Sequence, residues 1–321
     1  MQSEMDLIGA AVKRRLFILL LCLILISLFS CAKEDILFLI DPYREKTTFS
    51  GEKPLSRLHQ LADENRRELR AATFTKEESA SLAQQIEKTV DESAASAVLM
   101  TPIAAAAARS LPAKYPQKQF YCIEQCGNMV DSGNIRRINI DRIGMYEEAG
   151  SLFRQYLEEN SASAGTVEAG TRVAALFYTG TRERRAEKEA FLDGFSPSEI
   201  EDKLLLEEIE DLSRQSRALE FVRELDTLNV SLCLLFASNL NELCIQQLLN
   251  TDILIATEDA AASEAFRDRV YFSIETDYTR VLEAVIRDMQ APGEGPLTVE
   301  AVIVRGSAYE YRDEPENPLE R

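Results

Sequence analysis

The chain has 321 residues, 45% of them apolar, with 36 basic and 54 acidic side chains and a formal net charge of −18. So acidic a balance argues against general affinity for nucleic acid or anionic lipid headgroups, which recruit Lys and Arg. No G-x-S-x-G, P-loop, H-E-x-x-H or G-x-G-x-x-G spacing occurs, and His59 is the single histidine, so nothing points to an enzyme, a cofactor or a metal.

In chain order, the first signal is Lys13, Arg14 and Arg15 followed by an apolar run from Leu16 to Phe29, then Ser30 and Cys31. A basic start, an apolar middle and a small residue before a cut make a bacterial export signal. The run is short for a bilayer span, which needs roughly 20 apolar residues. L-F-S-C resembles the lipobox of bacterial lipoproteins, although Phe29 is bulkier than that pattern usually holds. The resemblance implies cleavage before Cys31 and a lipid on its thiol. An uncleaved anchor with Cys31 incidental is the other reading. Either places the body of the chain in the cell envelope, facing periplasm or exterior. The first 30 residues carry three basic and two acidic side chains, which leaves −19 of the total −18 on the rest. A lipid would then be its sole membrane contact.

Residues 35–42 (DILFLIDP) predict a strand, 54–69 a helix and 70–74 a short strand. Thr75 with Glu78 forms a T-x-x-E capping box, and Leu82, Ile86 and Val90 then recur every four residues on one helix face. A buried strand at 97–102 (AVLMTP) precedes an Ala-rich helix, and 119–125 (QFYCIEQ) is the next strand. A loop over 127–133 and a strand over 137–141 follow. The helix from Ile143 to Glu159 buries Tyr146, Ala149, Gly150, Phe153 and Leu157. Residues 161–170 read as loop or hinge.

The pattern then restarts. Residues 172–180 predict a strand, 182–194 a charged helix, and Ser196 to Glu199 a second capping box. LLLEEI at 204–209 suits a short strand, with a helix from about Leu212. VSLCLLFAS at 230–238 is a strand, after which Asn239 can cap a helix. Strands at 251–259 and 269–277 surround a short Ala-rich helix. A helix over 278–289 presents Tyr278, Leu282, Val285 and Met289, and 297–306 is a last strand. Export permits disulfides, but Cys122, Cys126, Cys233 and Cys244 fit small buried apolar residues better than bridges or zinc ligands.

Two successive β-α-β-α blocks imply an α/β fold with two lobes, each a parallel sheet flanked by helices. The expected division is a signal peptide at 1–30, lobe one at 31–142, and lobe two at 143–277 with a hinge helix at 143–160. A return helix and strand at 278–306 would pack on lobe one or the hinge, before a tail at 307–321.

AVLMTPIAAAAARSLPAKYPQKQFYCIEQ (97–125) resembles the strand-helix-strand unit of type 1 periplasmic binding proteins. YEEAGSLFRQYL (146–157), RVAALFYTGTRERRAEKEAFLDGF (172–195) and VYFSIETDYTRVLEAVIRDM (270–289) are similar, more narrowly, to segments of the basic membrane protein family of lipoprotein receptors, several of which bind purine nucleosides. The resemblance implies a substrate-binding protein that delivers a small polar solute, nucleosides included, to an ABC permease. The chain departs from that family in lacking tryptophan, in holding 13 glycines, and in carrying Tyr178-Thr179-Gly180 where a glycine-rich turn is usual. These departures leave open a lipoprotein that keeps the fold for a structural or interaction role without a solute.

Ligands of open α/β sheets sit beyond the carboxyl ends of strands. In lobe one those positions are Asp41, Tyr43, Thr101 and Glu124. In lobe two they are Tyr178, Thr179, Phe236, Ser238, Glu258 and Asp259, and Asp277 stands where the chain returns. Asp41 resembles the family's early ligand-binding aspartate. The competing readings are that Asp277, Thr101 and Ser238 cap helices, that Tyr178 and Phe236 are core, and that Glu258 and Asp259 form a solvated turn. His59 reads as a surface residue of a charged helix.

Overall fold

A computed structural model describes residues 35–49, 52–74, 81–124, 133–163, 172–196, 203–258 and 268–306. The export signal, Cys31, Cys126, Asp259, the T-x-x-E box at Thr75, the second box beyond Ser196 and residues 307–321 lie outside them.

The apolar runs become two sheets. In lobe one, β1 (Asp35–Ile40), β2 (Glu68–Thr73), β3 (Ala97–Met100), β4 (Gln119–Ile123), β5 (Ile135–Asp141) and β11 (Leu297–Glu300) align in the order β11-β5-β4-β3-β1-β2, with every pair parallel. In lobe two, β6 (Arg172–Tyr178), β7 (Leu204–Ile209), β8 (Val230–Phe236), β9 (Leu254–Glu258), β10 (Val270–Glu275) and β12 (Val302–Arg305) align as β12-β10-β9-β8-β6-β7. Only the edge strand β12 is antiparallel to its neighbour.

Helices α1 (Pro42–Thr47), α2 (Glu52–Glu64), α3 (Leu82–Asp91), α4 (Pro102–Ala107) and α5 (Leu111–Lys114) follow the first strands. They are succeeded by α6 (Ile143–Ser163), α7 (Arg182–Phe195), α8 (Gln215–Glu224), α9 (Asn241–Leu248) and α10 (Tyr278–Gln290). Because side chains alternate along a strand, a strand covered on both faces must be apolar throughout. In β1, Ile36, Phe38 and Ile40 enter a core with Leu58, Val281 and Val285, while Leu37 and Leu39 enter another with Ile86, Val90 and Ala104. In β6, Val173, Ala175 and Phe177 pack with Tyr146, Phe153 and Phe191, while Ala174 and Leu176 pack with Val222 and Leu248.

The backbones of α6 and α7 touch closely, and a Cβ on Gly194 would collide with the Glu147 carbonyl. Cys122, Cys233 and Cys244 are buried within these cores. Burial pushes the Cys244 thiol up to about 12, and that of Cys233 up as well.

Several boundaries differ from expectation for local reasons. The helix expected over 54–69 stops at Glu64, because Arg66 turns left-handed (φ 57°) and β2 begins at Glu68. Helix α3 begins under a capping box made by Ser81 and Gln84. Leu240, not Asn239, occupies the cap position of α9, and Asn241 accepts a hydrogen bond from the Ala237 N–H at 2.7 Å. The strand expected over 297–306 is two strands in two sheets: β11 lies beside β5, the chain passes through buried Ala301, and β12 lies beside β10.

That passage is one of three between the lobes. The others run from β5 into α6 and from β10 into α10. All three leave the carboxyl end of a strand, and β12 starts opposite Glu275, the carboxyl end of β10. The carboxyl ends of both sheets therefore meet at one junction.

Candidate functional site

In lobe one, Asp41 ends β1 and caps α1. One carboxylate oxygen accepts the N–H groups of Tyr43 and Arg44 at 3.0 Å each, and the other accepts the Thr101 hydroxyl at 2.6 Å. Asp41 is 1% exposed, and this bond ties the ends of neighbouring strands β1 and β3. Thr101 stands at the cap position of α4 without making a side-chain cap. Tyr43 is exposed beside them, with the Arg44 guanidinium 5.7 Å from its ring centre. Glu124 follows β4 in a left-handed conformation (φ 61°) and forms an ion pair with Arg142.

In lobe two, half-buried Tyr178 ends β6 with its ring against Gly180. Phe236 is core, 4.4 Å from the Tyr146 ring centre. Ser238 opens a short 3-10 turn at φ 57°. Asp277 caps α10, accepting the N–H groups of Thr279 and Arg280. His59 is exposed on α2.

The structure places Glu124 and Glu258 in two charged clusters, coupled through the charge of Arg142, with residues that sequence reasoning missed. Arg142, 6% exposed, stands on the first passage between lobes and also approaches Thr276 Oγ1, on the second passage, at 3.5 Å. Tyr146, in the first turn of α6, donates its hydroxyl to Glu258. Arg184, in the first turn of α7, donates to Glu258, to Glu187 at 3.0 Å and to the Tyr146 hydroxyl at 3.1 Å. Arg184 and Glu187 sit in a helix whose charge suggested a solvated surface. Their spacing of three residues, in the turn after a strand end, was the available signal.

Burial and charge set these groups apart. Burial pushes the Glu187 carboxyl up to about 7, with Arg184 opposing and Glu258 adding to the rise. Burial works the same way on Glu258, but there Arg184 and Arg142 prevail and hold it below the usual carboxylate range. The Tyr146 hydroxyl is raised by burial and then by Glu258. Burial disfavours the Arg184 guanidinium, yet Glu258, Tyr146 and Glu187 keep it charged. Such an arrangement binds and orients polar groups.

A cavity of about 280 Å³ lies elsewhere in lobe one, at the amino ends of β3 and β4, lined by Lys118, Tyr121, Asn134, Arg136 and Asp288 among others. Its polar groups are engaged: Lys118 with the Ser93 and Ala95 carbonyls, Arg136 and Tyr121 with Asp288. Among the described residues, no group of three or more His, Cys, Asp or Glu side chains is placed to hold a metal, and no helix is long and apolar enough to cross a membrane.

The chain matches no protein-family model and no curated protein. It is similar in structure to an ABC transporter solute-binding protein from Conexibacter woesei (TM-score 0.55, 10% identity, covering 86% of this chain and 89% of that one). It is equally similar to a transcriptional activator of the comK gene from Bacillus halodurans (0.55, 12%, 85% and 90%). A periplasmic solute-binding protein from Actinobacillus succinogenes with bound D-allose gives 0.51 at 14% identity, covering 87% of this chain and 100% of that one. The fold is that of the type 1 periplasmic-binding proteins. Receptors and regulators both carry it, so at these identities the likeness speaks for the fold alone and does not single out the basic membrane protein branch.

Because Glu187 titrates higher folded than unfolded, it contributes stability that is complete below about 4.5 and lost as pH rises through about 7. Over that window the loss is expected to be on the order of 3 kcal/mol. Urea denaturation at pH 5 and pH 8 should show it, and Glu187→Gln should flatten the difference. An unchanged pH dependence in the variant would assign it to other groups.

Proposed function

We propose that the protein is a lipid-anchored, non-enzymatic receptor of a bacterial envelope. It would take a small polar solute between its lobes and present the closed form to an ABC permease. The observation that carries this reading is the junction itself. All three passages between the lobes lie at the carboxyl ends of the sheets, where α/β folds place ligands. A network of buried polar side chains from both lobes converges there. The passages can act as a hinge for closure. Tyr43 and Tyr178 offer aromatic faces near the strand ends, which suits a nucleoside base or a sugar ring.

A specific observation favours a second reading, an envelope lipoprotein that keeps the fold for a structural or interaction role. Asp41, Thr101, Glu124, Glu258 and Asp277 are each engaged by the chain's own groups.

A thermal-shift screen of nucleosides, sugars, amino acids and amines separates the two. A solute at a hundred times its dissociation constant stabilises by about 2.7 kcal/mol, so the receptor reading expects a rise of about 5 °C with at least one class. A flat response across all classes would leave the second reading. Mass spectrometry of the mature protein tests the anchor independently: the expected first residue is a diacylglyceryl-modified Cys31, and an intact, unmodified N-terminus would refute it.

A further inference from the structure

We infer that the solute accepted at this junction is an organic cation, bearing an ammonium or guanidinium group held by Glu187 and Glu124 from opposite lobes and by the Thr179 hydroxyl. The inference rests on the receptor reading above and narrows its substrate class.

The ion pairs among the described residues at the junction are uneven. Lobe one presents Glu124, and the first passage presents Arg142. From lobe two come Glu258 on β9, Tyr146 on α6, and Arg184 and Glu187 on α7. The next cation along α7, Lys188, is drawn away by Glu189 and Glu208, and Arg185 turns to the Thr179 carbonyl. Three carboxylates thus share two guanidiniums. Arg142 answers Glu124, while Arg184 is divided between Glu258 and Glu187. Glu187, 8% exposed, is the carboxylate in surplus, and Glu124 lies near enough for its charge to oppose ionisation of Glu187. A buried carboxylate without a full counter-charge takes a proton instead. That proton occupies the role a cationic solute would fill, and a cation between carboxylates of opposite lobes would also draw the lobes together.

Thr179 supplies the independent observation. It directly follows β6, is 2% exposed, and its hydroxyl has no hydrogen-bond partner among the described residues. Alternation along β6 sends Val173, Ala175 and Phe177 to the side where Tyr146 packs, and Thr179 continues that side at the junction. An orphaned buried hydroxyl carries a desolvation cost that a ligand N–H would relieve. A bare metal ion fits less well, since no metal-holding group of three side chains is present among the described residues.

Isothermal titration calorimetry of the purified protein at pH 7, in phosphate and in HEPES, tests the assignment. Spermidine, L-arginine and choline serve as cationic probes, adenosine and D-allose as neutral ones, and calcium chloride as the metal. A cationic probe should bind and release about half a proton per solute, since Glu187 is near its midpoint there. Glu187→Gln should weaken binding at least tenfold and abolish the release. Thr179→Val should weaken binding severalfold and leave the release intact. Binding of neutral probes alone would overturn the charge assignment while leaving the receptor reading standing. Calcium binding alone would overturn it too, as would a cation bound equally by Glu187→Gln without proton release. Silence from every probe would overturn both. A cooperative unfolding transition of each variant at pH 5 confirms that lost binding is not lost folding.

Discussion

Arg142 is buried where the chain first leaves one sheet for the other, and a buried guanidinium must find a carboxylate. It finds Glu124, at the end of a strand in the lobe just left, and approaches Thr276 on the second passage. Around it, Glu258 is held ionised by Arg184 and Arg142, while Tyr146 and Glu187 fill the remaining contacts of Arg184. None of these groups tolerates burial alone. Their mutual compensation fixes how the strand ends of the two lobes face one another, and therefore what the space between them can accept.

The covalent path imposes the rest. Parallel strands return through helices, so each sheet gathers its carboxyl ends on one edge. With all three passages leaving from that edge, the two edges are forced together. The price of this arrangement is a concentration of polar groups in a low-dielectric place, where each must be paired or orphaned. Most are paired. Among the described residues, Glu187 and the Thr179 hydroxyl are incompletely served, and they lie on the same helical side of the lobe-two sheet as Tyr146.

The core of this fold was readable because burial on both faces leaves a plain trace: ILFLI, AVLM, VAALF and LCLLF admit no polar interruption. Helix faces such as Leu82–Ile86–Val90 were readable for the same reason. Strand ends were readable as places, which is how Asp41, Glu124 and Glu258 came to attention. What they do there was not. Whether a carboxylate at a strand end caps a helix, as Asp41 and Asp277 do, or joins a charged network, as Glu258 does, depends on partners over a hundred residues away. Arg184 and Glu187 were hidden by their neighbours, since a helix reading RERRAEKE looks solvated until one of its faces is turned inward. The split at Ala301 escaped because eight mostly apolar residues carry no mark of changing sheets.

The receptor reading and the cation inference both depend on a junction in which charges from the two lobes act on one another. A double-mutant cycle on Arg142→Met and Glu258→Gln, read by urea denaturation, measures that coupling directly. A buried pair acting across the two lobes should give a coupling energy of about 0.5–3 kcal/mol. A value within about 0.3 kcal/mol of zero would mean that the two side chains act independently, and would contradict the account.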